Sequence, residues 1–429
     1  MKNFFLVGLT IICAFCAFIS ACYTSRVPYN PTTKPDYTAA YTPDKQKPLP
    51  YYSIENLNDS VSRLHFQVKS TDLLYKRNNI TNKLTAQILV SYTLKKIEDV
   101  RTIADSGHTV LNDINENAEI RTLSGYIDVD VPLQNEKYYV EVTFRDLNKM
   151  AVNYELLSLE HKSANARNNF ILCAPRTHTP LFRNFVSAGE GFKLHYSNSG
   201  KSFLYVKYYK GNPDPARPPY SSTIAPLPVL YDSAWKINIR DADSIAFKGK
   251  GQYVITADST QTGGFSIGVY NDGFPEVATA SALLEPLRYI TTKKEYTTLE
   301  ISRNVKAAVD SFWLSLGGNA DRGRELISAY YGRVEIANMH FTANKEGWKT
   351  DRGMVYIIYG EPQNVYRSWK SETWVYGQDQ SGNMLNFVFN RDTESTSDND
   401  FKLERNQAYN VSWITAVDYW KQGQVYRAK

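Results

Sequence analysis

Cysteine is nearly absent from the chain of 429 residues: of four, Cys13 and Cys16 lie inside an N-terminal apolar run and Cys22 ends it. Only Cys173 remains in the body, so a disulfide-stapled scaffold is excluded there, and a chain of this length buries enough apolar surface without one. Histidine is scarce too. His65, His108, His161, His178, His195 and His340 never approach metal-ligand spacing, and Cys173 has no ligand type beside it, so neither metal nor cofactor is expected. A glycine-rich phosphate loop is also lacking. Charge of one sign is weak: a formal +5 falls to +4 without Lys2, and no basic cluster concentrates it, which excludes a nucleic-acid footprint. What the chain does have is aromatic weight, 13% of residues with 31 Tyr, suited to sheet surfaces and interfaces where a ring is buried and its hydroxyl stays wet.

Residues 1–21 read as a secretory signal, with Lys2 followed by an apolar run from Phe4 to Ile19 and then Ser20 and Ala21. The stretch Ile19-Ser20-Ala21-Cys22 resembles the bacterial lipoprotein lipobox, which implies cleavage before Cys22 and acylation of its thiol; bulky Phe15 makes Cys16 a poorer candidate. An uncleaved anchor is the plainer alternative. Residues 22–51, rich in Pro, Thr and Tyr without an apolar period, read as an extended linker rather than a core element. Some thirty residues at ~3.1 Å each reach roughly 90 Å at most.

Alternation with period two dominates residues 52–165. Leu64, Phe66 and Val68; Ala86, Ile88, Val90, Tyr92 and Leu94; Ile127, Val129 and Val131; and Tyr138, Val140, Val142 and Phe144 each line one strand face. Turn signals are expected at Asp105-Ser106-Gly107 and Asn135-Glu136. An immunoglobulin-like β-sandwich is the simplest reading. Residues 166–293 repeat the theme at Phe192-Leu194-Tyr196, Trp235-Ile237-Ile239, Tyr253-Ile255 and Phe265-Ile267-Val269, giving a second sandwich. The run "GNPDPARPPYSSTIAPLPVL", residues 211–230, is expected as an exposed loop, or as a presented polyproline-type ligand.

From residue 294 to 429 the period changes and an α+β domain is expected. Ile301, Val305, Ala308, Val309, Phe312 and Leu316 mark one helix, Gly317-Gly318 stops it, and Leu326, Tyr330, Val334, Ala337 and Phe341 mark another. Six of seven Trp fall here, at Trp313, Trp348, Trp369, Trp374, Trp413 and Trp420. Met354–Tyr359 is apolar on both faces and reads as a covered central strand, with "ETWVYG" and "NMLNFVFN" beside it. The stretch "EGWKTDRGMVYIIYGEP", with Gly347, Trp348, Thr350, Asp351, Arg352, Gly353, Tyr359, Gly360 and Pro362, resembles the signature of the GWxTD-domain proteins, secreted and lipidated proteins found mainly in Bacteroidota. Phe312-Trp313 upstream and Trp374-x-Tyr376 downstream fit the same family. The resemblance implies β-sandwich domains ahead of the signature domain and carries over no established chemistry. In that bacterial group an acidic run after the acylated Cys usually sends lipoproteins to the cell surface; none follows Cys22, so the periplasmic face of the outer membrane is expected.

Physically the motif reads first as architecture: Gly347 and Gly353 free the backbone, Thr350 and Asp351 bond turn amides, Trp348 plugs a core, and Arg352 pairs with Asp351, Glu346 or Glu361. A binding surface and a catalytic loop are the rival readings. Other catalytic patterns fail on context. "GFSIG" at 264–268 lacks the strand-to-helix turn a nucleophile elbow needs, and Ser233-Ala234-Trp235-Lys236 lies in a strand pattern with no companion motif. The expectation is therefore a lipid-anchored binding or scaffold protein contacting envelope proteins of barrel assembly, type IX secretion or nutrient uptake. Two alternatives stay open: an envelope enzyme acting on peptide or glycan through Asp351 and Glu361, and a glycan-binding module using Trp369 and Trp374.

Overall fold

The computed structural model describes Pro35, Tyr37, Thr38, Tyr41 and residues 48–427, apart from 133–135, 198–199, 212, 223–229, 243 and 378–383. The signal reading, Cys22, most of the linker, Asn135 and part of the Pro-rich run lie outside the described residues.

The chain is mostly β up to residue 270. Strands β1 (Tyr51–Asn56), β2 (Val61–Lys69), β3 (Lys76–Arg77), β4 (Leu84–Lys96), β5 (Ile103–Ile114), β6 (Thr122–Asp130), β7 (Lys137–Asp146) and β8 (Ala151–Glu160) come first. One sheet runs β1-β2-β6; another runs β3-β4-β7-β8, with β5 also on β4. Their alternating inward residues, among them Leu64, Phe66, Ile88, Val90, Val140 and Phe144, close into one buried cluster, as period-two patterning requires. Asp105-Ser106-Gly107 is not a turn. It lies within β5, where Gly107 faces Tyr92 so closely that a Cβ would come within 2.8 Å of the ring, and the glycine serves packing instead.

Next come β9 (Phe170–Cys173), β10 (Phe185–Ser187), β11 (Gly191–Tyr196), β12 (Phe203–Tyr209), β13 (Ser233–Asn238), β14 (Ile245–Ala246), β15 (Gly251–Thr256) and β16 (Phe265–Tyr270). They form sheets β10-β16-β15-β12-β13 and β14-β11-β9 around a second buried cluster that includes Phe192, Leu204, Ile255 and Ile267. Ser266 sits in β16, buried, its hydroxyl donating to Asn344 Oδ1 at 2.9 Å.

The remainder mixes helices with one sheet: α1 (Ala280–Leu284), α2 (Lys293–Glu300), α3 (Val305–Gly317), α4 (Ala320–Phe341), α5 (Asp351–Tyr359), the antiparallel strands β17 (Asn364–Arg367), β18 (Ser371–Tyr376), β19 (Leu385–Arg391) and β20 (Phe401–Leu403), then α6 (Tyr409–Lys421). Asn304 caps α3, and Gly318, at φ 70°, ends it. Ile301, expected on the helix face, is instead the residue that closes α2 and stands 76% exposed. In α4, Leu326, Tyr330, Val334, Ala337 and Phe341 form the buried stripe that the sequence spacing requires.

Met354–Tyr359 is helix, not strand. Helix α5 is buried all round, packed on α4, β20 and α6, so it has no polar face to reveal a 3.6-residue period. The helix signals lie at its ends. Thr350 caps the first turn, and Arg333 Nη1 donates to the last carbonyls, Ile357 O at 3.0 Å and Ile358 O at 3.1 Å. Strands β18 and β19 pair with each other rather than with residues 354–359.

The N-terminal segment also departs from the linker reading. Tyr37 donates its amide to Val365 O at 3.1 Å, Thr38 Oγ1 accepts from the Val365 amide at 2.8 Å, and Tyr37, Thr38 and Tyr41 are buried. The edge of β17 supplies the backbone partners a free linker would lack, and the Tyr rings join the C-terminal core with Tyr139 and Leu156 from β7 and β8.

Candidate functional site

Residues 347–352 are drawn tightly together before they face anything else. A Cβ on Gly347 would lie 1.9 Å from Ala337 O, and one on Gly353 would lie 1.9 Å from Gly347 O. Both glycines are therefore required by close backbone approach rather than for the freed backbone expected of them, since neither has a positive φ. Thr350 Oγ1 donates to Gly347 O at 2.8 Å and accepts from the Gly353 amide at 3.0 Å. Trp348 is 3% exposed; its amide donates to Asn338 Oδ1 at 3.1 Å, and its carbonyl accepts from Tyr289 Oη at 3.0 Å. Lys349, 1% exposed, is held by Glu346 and, at 3.6 Å, Glu285. Burial pushes the Glu346 carboxyl up, against the pull of Lys349.

Arg352 points into the core. At 1% exposure its Nη1 lies 3.3 Å from Glu372 Oε2, its Nη2 donates to Asn399 O at 2.8 Å, and its guanidinium stacks 4.3 Å from the Phe401 ring centre. Its partner is therefore none of the three carboxylates expected. Glu372, fully buried, also accepts from Arg367 Nε at 2.9 Å, Tyr41 Oη at 3.0 Å and Trp374 Nε1 at 2.5 Å. Burial alone would raise its proton affinity, but Arg367 and Arg352, helped by the indole N–H, hold the carboxyl below its ordinary value. Arg367 continues to Glu155 Oε1 on β8 at 2.5 Å, and its guanidinium also contacts Tyr41 Oη. Desolvation pushes Glu155 up to about 7, against the Leu156 amide that its carboxylate accepts from and the nearby Arg352 guanidinium.

Asp351 points the other way. Its Oδ2 accepts from the Leu403 amide at 2.9 Å, and Arg405 grips both oxygens, Nη2 to Oδ1 at 2.6 Å and Nη1 to Oδ2 at 3.2 Å. The same Nη2 reaches Arg217 O at 3.2 Å in the Pro-rich run. Beside this contact lies a cavity of about 280 Å³ lined by Asp214, Pro215, Ala216, Arg217, Pro218, Arg288, Tyr289 and Trp413.

Asp351 and Glu361 do not meet: one opens α5 and the other lies exposed beyond its far end, roughly 13 Å along the axis at 1.5 Å per residue. Nor do Trp369 and Trp374 form an open platform. Trp374 is wholly buried, and Trp369 stacks on Tyr139 with the Arg391 guanidinium 4.5 Å from its ring centre. Tyr359 and Tyr376 are core residues, their hydroxyls bonded to Ser412 Oγ and Gly360 O. Among the described residues no group of three or more His, Cys, Asp or Glu is placed to hold a metal. Sequence reasoning missed Tyr41, Arg367, Glu372 and Arg405. Only Glu372 left a signal, a carboxylate in line with Trp374 and Tyr376 on the buried face of β18.

These features define a β-rich protein whose C-terminal part is built around a buried Gly-Trp-Lys-Thr-Asp corner. Residues 251–422 match the GWxTD domain, so the chain carries one, beginning at β15. No curated protein matches the chain in sequence. Solved structures similar to it include Bacteroides uniformis β-glucuronidase 2 covalently bound to cyclophellitol-6-carboxylate aziridine, at 12% identity over 34% of this chain and 15% of that one, TM-score 0.18. A putative β-galactosidase from Bacteroides fragilis has 12% identity over 36% and 19%, TM-score 0.18. The native conformation of E. coli α-2-macroglobulin has 11% over 69% and 24%, TM-score 0.17. The chain spans under a quarter of the length of each, and likenesses this slight bear on neither its fold nor its activity.

Proposed function

We propose that this is a lipid-anchored outer-membrane protein facing the periplasm, whose two immunoglobulin-like sandwiches and C-terminal GWxTD domain act as a binding scaffold for other envelope proteins. The observation that carries this reading is the spending of the motif: Trp348, Lys349, Thr350 and Arg352 are buried in internal contacts, and Asp351 serves to aim Arg405 at a peptide carbonyl. Such groups build a recognition surface by fixing what lies around them. Among the described residues no helix is long and apolar enough to cross a membrane. The attachment in this reading is acylation of Cys22, and what supports it is the lipobox-like Ile19-Ser20-Ala21-Cys22. Holding the scaffold at the membrane raises its effective concentration towards membrane partners without a new contact.

Two measurements test the proposal. Metabolic labelling with a fatty-acid analogue should mark the wild type and not Cys22→Ser; label that survives the substitution refutes the anchor. Photo-crosslinkers at the exposed positions Val411, Ile414 and Tyr366 should trap a small, reproducible set of envelope proteins from the periplasmic side. Joint Asp351→Asn and Glu361→Gln substitution in a folded protein that abolished its cellular role while every crosslink persisted would overturn the scaffold reading in favour of an enzyme.

A further inference from the structure

Three loops close one end of the first sandwich, and each carries an apolar side chain in solvent. They join β3 to β4, β5 to β6 and β7 to β8, and the pairings Lys76↔Thr85, Thr85↔Ile114 and Asp146↔Ala151 place them at the same end. The Leu84 amide donates to Glu116 Oε1 at 2.8 Å, and Asn148 Nδ2 to Thr85 O at 2.8 Å, which ties the loops to one another. Ile80 is 94% exposed, Ile120 82% and Met150 70%. One exposed isoleucine on a surface is ordinary, but three apolar residues on three adjoining loops are a feature of that end. The opposite end is taken by the second sandwich, where Asn56 Nδ2 donates to Asn169 Oδ1 at 2.7 Å.

The loops are held so that these side chains stay out. Asn78 Oδ1 accepts from the Ile80 and Thr81 amides at 2.9 and 3.0 Å. Asn115 closes the second loop through Glu119, its Oδ1 accepting from the amide at 2.9 Å and its Nδ2 donating to the carbonyl at 2.9 Å. In the third loop buried Asp146 accepts from the Asn148 amide at 2.9 Å and the Lys149 amide at 3.1 Å, and Met150 follows at φ 58°. A bulky residue in the left-handed region is strained and persists only where its surroundings fix it. Fixed turns therefore present the apolar tips.

Charge at this end favours an anionic partner. Three of its carboxylates are engaged within it: Asp113 by Arg121 at 2.7 Å, Glu116 by the Leu84 amide, and Asp146 by the amides of its own loop and of Leu74. Lys76, Arg77 and Lys83 are exposed, and among the described residues none of them is paired with a carboxylate. Apolar tips on separate loops enter an acyl layer independently of one another, with no matching pocket required, and anionic headgroups above that layer suit the unpaired cations. The chain also enters the sandwich here, since Tyr51 opens β1 opposite Gln67, two residues before β2 ends. We propose that this end rests on an anionic phospholipid surface, with Ile80, Ile120 and Met150 inserted and Lys76, Arg77 and Lys83 among the headgroups. The inference rests on the membrane-anchored reading and gives the first sandwich a lipid contact of its own.

The test places a diazirine-bearing residue at position 80, 120 or 150 of the full-length chain, with Ile301, 76% exposed, as the control position. Each protein is reconstituted in vesicles of phosphatidylethanolamine and phosphatidylglycerol and irradiated, and lipid adducts are read by intact mass. All three positions should give at least fivefold more lipid adduct than position 301, and yields equal to that control overturn the proposal. Joint Lys76→Gln, Arg77→Gln and Lys83→Gln substitution should cut the adducts at least threefold in these vesicles and have no effect in neutral phosphatidylcholine; an unchanged yield in the anionic vesicles refutes the headgroup contact. Should that variant not fold cooperatively, raised salt replaces it, because screening should cut the wild-type yield in the anionic vesicles alone, and a yield indifferent to salt refutes the same contact. Adducts with a second copy of the chain, or in cells with another protein in place of lipid, would assign this end to that partner and overturn the lipid contact. Fatty-acid labelling reads the anchor separately, so label without adducts refutes this contact alone, and adducts at all three positions in an unlabelled chain refute the anchor alone.

Discussion

Removing the Glu372 carboxylate isolates what the buried charge cluster contributes. Glu372→Ala leaves the Arg352 and Arg367 guanidiniums, the Tyr41 hydroxyl and the Trp374 indole N–H without their shared acceptor, all inside the C-terminal core. Breaking one side of a buried ion pair costs about 3 to 5 kcal/mol, because a charge stays behind in a medium that cannot solvate it. For a unit the size of the GWxTD domain match, residues 251–422, that is a fall in melting temperature of roughly 6 to 20 °C. Near-ultraviolet circular dichroism follows it directly, since the Trp374 and Tyr41 rings meet at a tilt, their centres 5.5 Å apart, in the same cluster. Arg352→Met tested alone and with Glu372→Ala should reveal a coupling of about 1 to 3 kcal/mol. A Glu372→Ala loss below about 1 kcal/mol, or additive effects of the pair, would refute the claim that this cluster holds the domain together.

The other predictions concern its surroundings. Gly347→Ala should prevent native folding of the C-terminal part, since its Cβ would lie 1.9 Å from Ala337 O; a soluble variant with an unchanged melting temperature would contradict the close-approach argument. Trp348→Ala should cost roughly 3 to 5 kcal/mol by emptying a core position, and unchanged unfolding with altered partner crosslinks would make the ring part of a site rather than a plug. His340, whose pKa burial and then Arg352 lower from 6.5 to about 4, should make stability pH-dependent. With the folded value depressed, the full contribution is present above the unfolded value of 6.5 and is lost as pH falls towards 4, up to about 3 kcal/mol. The lowered Glu372 carboxyl adds a loss of the same sign at still lower pH. His340→Gln should flatten the denaturation profile between these limits, and an unaltered slope counts against the burial.

Strands with one wet face were legible, because alternation at Ala86–Leu94 or Tyr138–Phe144 is the burial pattern itself. Helix α4 was legible for the same reason at period 3.6. Legibility failed where every face is covered: α5 shows no polar side, and its capping residue Thr350 was read as part of a turn. It failed again for Tyr37 and Tyr41, whose Pro- and Thr-rich neighbourhood has no periodicity even though single rings find a core formed far along the chain. The Gly-x-x-x-x-x-Gly spacing of 347 and 353 was visible as a signature, but its cause, two backbone contacts at closed distance, is not written in local sequence.

The motif's charged residues explain why so short a signature organises so much chain. Asp351 and Arg352 are neighbours at the start of α5, and a helix sends adjacent side chains about 100° apart. One therefore reaches Arg405 and, through it, residue 217, while the other reaches Glu372, Tyr41 and Asn399. Segments separated by up to 311 residues along the chain meet on two consecutive side chains. Neither set of partners has a spacing a sequence can display, because loops of such length close at an entropic cost that depends only weakly on their number of residues. The letters Gly-Trp-Lys-Thr-Asp record the hub, and the spokes are fixed by where the β parts and the Pro-rich segment come to rest. A domain cut from residue 251 onward would lose both Tyr41 and Arg217, so its Arg352 and Arg405 would each lack a partner that the full chain supplies.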